Sequence, residues 1–326
     1  MTATTTAAPV ATRSHVGWGD LLWLTWRQHR WTILGTGALV VAVVGLALGM
    51  AWHTDATGDT HELLGEWGYI GTAQMLTFAP TVFGAVIAVF WAAPLLSREY
   101  EQRTHLVVWS QDITPLRWLT GKVVLLGVTA VAFAAGLGLA LVKLLNSINE
   151  VNVQPPFPPF STSSFEAAPQ VQAGYAAFGL ALGLAFSAVT RRTVPAMGLT
   201  LGVFFVTRSF VAGGWRPYFL EPLRKVEPYG VFSMSVGTGD DQSWRVKGYL
   251  ADAAGNQIRN FDVCTDVNSH VEYTKCMNDS GIHYVSYHHP IERLVPFQWF
   301  ETGVFAVLAA GLFALAFVWV RRARRV

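Results

Sequence analysis

Few side chains in the 326 residues have the type and spacing to do chemistry. A phosphate-cradling loop needs G-x-x-x-x-G-K-[ST], whose backbone amides wrap a nucleotide's phosphates. The one Gly-Lys pair, Gly121-Lys122, has Leu116 where the first glycine belongs and Val123 where Ser or Thr is needed. Nucleotide hydrolysis by that route is excluded. H-E-x-x-H and G-x-S-x-G are both missing, so no residue stands out as catalytic. Cys264, Cys276, His283, His288 and His289 share one stretch of chain, but the cysteines are much further apart than the gaps of about two to four residues in zinc fingers. No metal site is expected. Arg208 and Glu301 are charges set in apolar runs, and a charge in hydrocarbon costs about 2.5–3.5 kcal/mol on insertion scales unless paired. As a pair at similar depth on neighbouring helices, they could line a substrate path or anchor what lies outside. A third group, Arg98, Glu99, Glu101 and Arg103, crowds four charges into six positions.

The elements that must position these residues follow from composition. Hydrophobic residues make up 52% and charged residues 13%, about half the charge of an average soluble domain. So little charge cannot coat a soluble globule of this length, and so much apolar surface excludes disorder. A net charge of +2 argues against nucleic acid as partner. Six apolar runs, 32–52, 75–96, 121–145, 171–189, 194–211 and 299–320, each approach the ~20 residues that cross a ~30 Å hydrocarbon core as a helix. Arg13, Arg27, Arg30, Arg98, Arg103, Arg117, Lys122, Arg191, Arg192, Arg321, Arg322, Arg324 and Arg325 fall on one side, while 53–74 and 146–170 hold no Lys or Arg. The positive-inside rule then puts both termini in the cytoplasm. The expected fold is an all-α integral membrane protein of the cell membrane with six transmembrane helices, five of them within 32–211 and the last opening 299–326, which ends in a basic cytoplasmic tail.

The remaining pieces are distinct. Residues 1–15 are Thr- and Ala-rich and read as a disordered tail; the first apolar run is too long for a signal peptide's core, so it stays as an anchor. Residues 16–31 read as an amphipathic helix lying in the lipid interface, with Trp18, Leu21, Leu22 and Trp26 on one face and Arg27 and Arg30 for anionic lipid. Residues 97–121 form a cytoplasmic elbow of two short helices. It joins the charge group to a short apolar run that includes Leu106 and Trp109, and Thr114 before Pro115 signals a helix start. PPFPPF at 155–160 reads as a stiff external loop, a spacer with a recognition role as the alternative. Residues 212–298 hold enough charge for a soluble fold and form a small extracellular cap, α+β or mainly β, with strands near 244–250 and 283–287. Outside the cytoplasm, Cys264 and Cys276 are expected to form a disulfide.

Taken together, an interfacial N-terminal helix, six spans and a charged elbow between spans two and three resemble the permeases of ATP-binding-cassette transporters of the type-2 exporter class. The elbow is similar to that class's coupling segment, a Glu-rich stretch ending in Gly-Thr: Glu99, Glu101 and Thr104 stand in matching places, and Arg103 replaces the glycine. Trp109-Ser110-Gln111, Arg117-Trp118, Lys122 and the run Leu24–Arg30 resemble actinobacterial members. The resemblance implies a permease without enzyme activity or bound cofactor. It would pair with a second copy or a related permease and exchange force with separate ATPase subunits, which hold ATP and Mg. Glu99, Glu101, Arg103, Thr104, Leu106 and Trp109 would form the ATPase-coupling surface, and the cargo would be hydrophobic or amphipathic. The competing reading is a membrane-anchored sensor or envelope-assembly protein whose cap binds a ligand.

Overall fold

The computed structural model describes residues 17–58, 60, 68–103, 113–230, 242–258, 264 and 269–323. The expected tail at 1–15, the elbow residues Thr104, Leu106 and Trp109, and the last basic residues lie outside them. Six helices are long and apolar enough to cross a membrane. They are α1 (Trp18–Thr57), α2 (Tyr69–Glu101), α3 (Pro115–Val151), α5 (Pro169–Thr190), α6 (Thr193–Tyr218) and α8 (Ile291–Arg322). A short helix α4 (Thr162–Glu166) precedes α5. A three-stranded antiparallel sheet follows α6, built from β1 (Leu223–Pro228), β2 (Trp244–Ala251) and β3 (His283–His289) in the order β1-β3-β2. Helix α7 (His270–Asp279) lies between β2 and β3. Six crossings put the start of α1 and the end of α8 on one face of the bundle and the sheet on the other; these are called the terminal side and the cap side.

The packing centres on α5. Some 72% of its most apolar window is buried, against 22% for α1 and for α8, which turn most of their surface outward. Lipid tails are as apolar as leucine, so membrane helices associate through close backbone approach at small residues. The α2–α5 seam is of this kind: a Cβ on Gly183 would lie 2.4 Å from the Ala88 carbonyl, a contact no side chain tolerates. Opposite it, α2 passes through a π-helical stretch, Ile87–Ala92. Gly138 of α3 meets the α4–α5 turn as closely, 2.6 Å from a built Cβ to the Ala167 carbonyl.

Two expectations change. The interfacial helix at 16–31 is not a separate element, because α1 runs unbroken for 40 residues. No proline interrupts it, and its start is capped by Asp20, which accepts the Gly17 N–H at 2.9 Å. Its inward residues are Leu21 and Thr25, with Leu21 packed on Gly121 of α3, while Trp18 and Trp26 are exposed. The Arg117 guanidinium covers the Trp18 ring at 5.0 Å. The spans are also longer than their apolar runs. Charged and aromatic residues extend α3 to Val151 and start α8 at Ile291, since a helix need not stop where hydrocarbon does.

The cap has the two expected strands and adds two elements. The alternation that marks a half-buried strand is missing from β1, which nevertheless pairs with β3 along its whole length, Leu223 opposite His288 and Pro228 opposite His283. Helix α7 is held by the Cys264–Cys276 disulfide, whose Cα atoms are 6.1 Å apart, and by buried Met277. The Asn278 amide continues the pairing of β1: its Oδ1 accepts the Tyr229 N–H at 2.8 Å and its Nδ2 donates to the Tyr229 carbonyl at 3.0 Å. The sheet sits directly on the bundle, with Trp244 stacked on Phe160 at 5.5 Å and His289 against Phe297 of α8 at 4.8 Å.

Candidate functional site

The most charged buried locus lies at the cap-side end of the bundle. Glu166 ends α4, Arg208 and Arg216 stand on the last turns of α6, and Glu301 is in α8. Their exposures are 1%, 7%, 3% and 0%. Arg216 forks onto Glu301, with Nε to Oε2 at 2.7 Å and Nη2 to Oε1 at 2.8 Å, and Nη2 also reaches Glu166 Oε1 at 3.0 Å. Arg208 donates from Nη2 to the other Glu166 oxygen, and from Nη1 to the Thr81 carbonyl of α2 at 3.3 Å. Tyr175 of α5 donates its hydroxyl to Glu301. The Gln172 amide holds the Glu166 carbonyl at 2.7 Å, and the Arg216 guanidinium lies over the Phe165 ring at 4.1 Å. The locus thus joins α2, α4, α5, α6 and α8 through four charges that sum to zero.

The expected Arg208–Glu301 pair is therefore corrected. Both residues belong to the locus, but Arg208 takes Glu166 and Glu301 takes Arg216. Fork geometry decides the exchange: Arg216 satisfies both Glu301 oxygens at once, which a carboxylate prefers to a single bond. The π-helical stretch Val211–Trp215 makes the arrangement possible. Two α-helical turns take 7.2 residues, so residues eight apart fall out of line; a π turn absorbs the extra residue. Arg216 is thereby brought under Arg208 so that both reach Glu166. Glu166, Arg216 and Tyr175 were missed by sequence reasoning. The available signal was that Glu166 is the one acid between Glu150 and Glu221, a stretch holding four arginines.

At the terminal side the elbow residues bond inward. Glu99 pairs with Lys122 of α3, a lysine 2% exposed whose ammonium also lies 4.2 Å from the Trp118 ring centre. Glu101 caps α6: Oε1 accepts the Thr193 N–H and Oε2 its hydroxyl, each at 2.8 Å, placing a carboxylate at the positive end of that helix. One turn earlier, Ser187 of α5 accepts the Leu96 and Ser97 amides at 3.0 and 2.7 Å. Arg103 adopts φ 55°, the left-handed turn that a glycine takes freely. Lys143 forms an exposed pair with Asp55 at 2.7 Å on the cap side. Among the described residues no group of His, Cys, Asp and Glu is arranged to hold a metal ion.

His289 links the two halves of the cap-side region. Arg293 Nη1 donates to its Nδ1 at 3.1 Å, which makes Nε2 the protonated nitrogen that donates to the Pro217 carbonyl at 2.9 Å. Burial, and then the nearby Arg293 charge, hold its pKa below the usual 6.5.

Six helices long and apolar enough to cross a membrane, four of them joined by the buried charge locus, define a multi-pass membrane protein. The family described as ABC-2 membrane transporter related matches residues 54–216, half of the chain, and the chain belongs to that family. No curated protein and no solved structure matches it. The matched segment contains the α2 end, Lys122, Glu166, Arg208 and Arg216, and ends before the cap and Glu301. Membership supports a permease component of an ATP-binding-cassette transporter and implies association with ATPase subunits of that class.

Proposed function

We propose that this chain is the membrane-spanning permease of an ATP-binding-cassette exporter, working as a pair with a second copy or a related permease. ATP and Mg are bound and hydrolysed by a separate ATPase docked on the terminal side, taken as cytoplasmic because its segments carry Arg27, Arg30, Arg98, Arg117, Arg191, Arg192, Arg321 and Arg322. The chain performs no hydrolysis itself. Its cargo is hydrophobic or amphipathic, and the cap faces outward.

The single observation that carries this reading is how the end of α2 is tied. Through Glu99, Glu101 and Ser97 it engages α3, α6 and α5 at once. A push delivered just beyond Arg103 would therefore move four spans together, which a passive anchor does not require. Glu99 and Glu101 thus serve as the transmission behind the docking surface rather than as its contacts. In the purified complex, Glu101→Ala should leave insertion and ATPase binding intact while ATP hydrolysis stops responding to cargo. A variant that stays fully coupled removes the elbow from the mechanism. The sensor reading draws on the disulfide-bonded, folded cap; it requires that deleting the ATPase leave the chain's activity unchanged.

A further inference from the structure

Next to the charge locus lies a cavity of about 320 Å³, between α3, the proline-rich connection, the start of α5 and the start of α8. Its volume is at the lower end of the ~300–1,000 Å³ typical of small-molecule sites. The chemistry of its wall is selective. The polar side chains that line it are Asn146, Asn149, Ser164, Gln170 and Gln298, all neutral, and the remainder is apolar, including Leu145, Phe157 and Val295. Among the described residues no charged side chain lines it.

The amides are held in place with capacity to spare. Gln298 is 7% exposed; its Oε1 accepts from Gln170 Nε2 at 2.9 Å and its Nε2 reaches the Phe165 carbonyl at 3.5 Å. An amide offers two N–H donors and two acceptor lone pairs, so each glutamine can bond an occupant without breaking that pair. Asn149 clamps the Phe157 backbone through both its atoms, at 2.7 and 3.1 Å, and so fixes the wall formed by the proline-rich segment. The prolines therefore shape a site rather than merely space two helices.

We infer that this cavity binds an uncharged amphiphile, a hydroxyl-, ester- or amide-bearing head on an apolar tail. This rests on the permease reading only for its role in transport. A charged head would be desolvated against neutral amides with no counter-ion, whereas a neutral head exchanges water's hydrogen bonds for those of Gln170 and Gln298. The site also touches the lock. Gln298 precedes Glu301 by one helical turn on α8, and its second partner, Phe165, adjoins Glu166. An occupant bonding the glutamine pair thus acts on both segments that carry the locus carboxylates.

The test uses the full chain in phosphatidylcholine nanodiscs with three diazirine-bearing probes of equal tail length: an acylglycerol, a fatty acid and an alkyltrimethylammonium. The acylglycerol should label peptides covering 142–149 and 294–298 about tenfold more than either charged probe. Val295→Trp, which fills the cavity from an exposed position, and Gln298→Leu should each remove that preference while thermal stability is followed in parallel. Equal labelling by all three probes, or undiminished labelling in Val295→Trp, overturns the site. With the ATPase bound, label lost on adding Mg-ATP marks transported cargo and label retained marks a resident lipid; both support the site. Selective labelling in a chain that never binds an ATPase keeps the site and removes the permease reading.

Discussion

At the cap-side end, α2, α4, α5, α6 and α8 meet through Glu166, Arg208, Arg216 and Glu301, none more than 7% exposed. At the terminal side, α2, α3 and α6 meet through Glu99, largely buried on the buried Lys122, and through Glu101, which is open to solvent. Helices α2 and α6 are thus bound at the cap side by a desolvated charge network, and at the terminal side by an exposed cap at Glu101 that water can replace, beside the largely buried Glu99–Lys122 pair. A desolvated pair resists breaking because each separated charge would stand alone in low dielectric; an exposed one is remade at little cost. The contrast teaches which end can follow a partner's movement with small steps and which must switch between discrete states.

The comparison breaks most readily at Arg216. Arg216→Met strands Glu301 and leaves Glu166 with Arg208 alone, and removing one partner of a buried pair costs about 3–5 kcal/mol. Thermal unfolding in detergent should show the lowest midpoint of any single variant discussed; a midpoint near wild type would show that water already enters the locus. The next effect belongs to the cap. Cys264→Ser with Cys276→Ser should destabilise the cap by about 3 kcal/mol, as for a loop of this size. Because the bundle's lock does not include α7, hydrogen exchange should rise in 270–289 and stay unchanged in α5. Exchange that rises throughout would mean cap and bundle fold as one unit.

A smaller change in stability, with a large change in coupling, is expected at the terminal side. Glu101→Ala removes one exposed cap of α6, so its midpoint should barely move while communication with the ATPase is lost. If it destabilises as much as Arg216→Met, the two ends are not different in kind. The smallest effect is pH-dependent. His289 is neutral in the fold and its pKa is lowered, so the unfolded chain binds the proton more readily. Stability from this residue is full above pH 6.5 and declines as pH falls below it toward the lowered value. Exchange of amides around 217 and 289 should therefore quicken in mild acid, and His289→Gln should flatten that dependence.

The spans were legible because twenty apolar residues in a row have one physical use. Their true lengths were not, since helices continue into charged and aromatic ends that hydropathy discounts. The interfacial reading of 16–31 followed from a face of Trp18, Leu21, Leu22 and Trp26. It did not reveal that this stretch and the first span are one helix: α1 runs unbroken to Thr57, and Leu21 of that face packs on Gly121 of α3. Arg208 and Glu301 were recognisable as costly charges. Their true partners were hidden, because Arg216 reaches the locus only through a π turn and Glu166 through a helix of five residues, neither of which leaves a periodic signal. The disulfide was readable from two cysteines in a segment placed outside the cytoplasm, and two strands from β-prone runs between turn residues, whereas β1, largely exposed, carries no alternation to detect.

The central claim is that this chain is moved by ATP hydrolysed in another subunit at its terminal side. The most direct measurement is affinity purification of the tagged chain from native membranes in mild detergent, with protein stoichiometry and ATP turnover measured on the eluate. The account predicts an ATP-binding-cassette ATPase in equal molar amount, with turnover that cargo stimulates and Glu101→Ala uncouples. A homogeneous chain without such a partner, or a partner whose turnover ignores both cargo and Glu101, would contradict it.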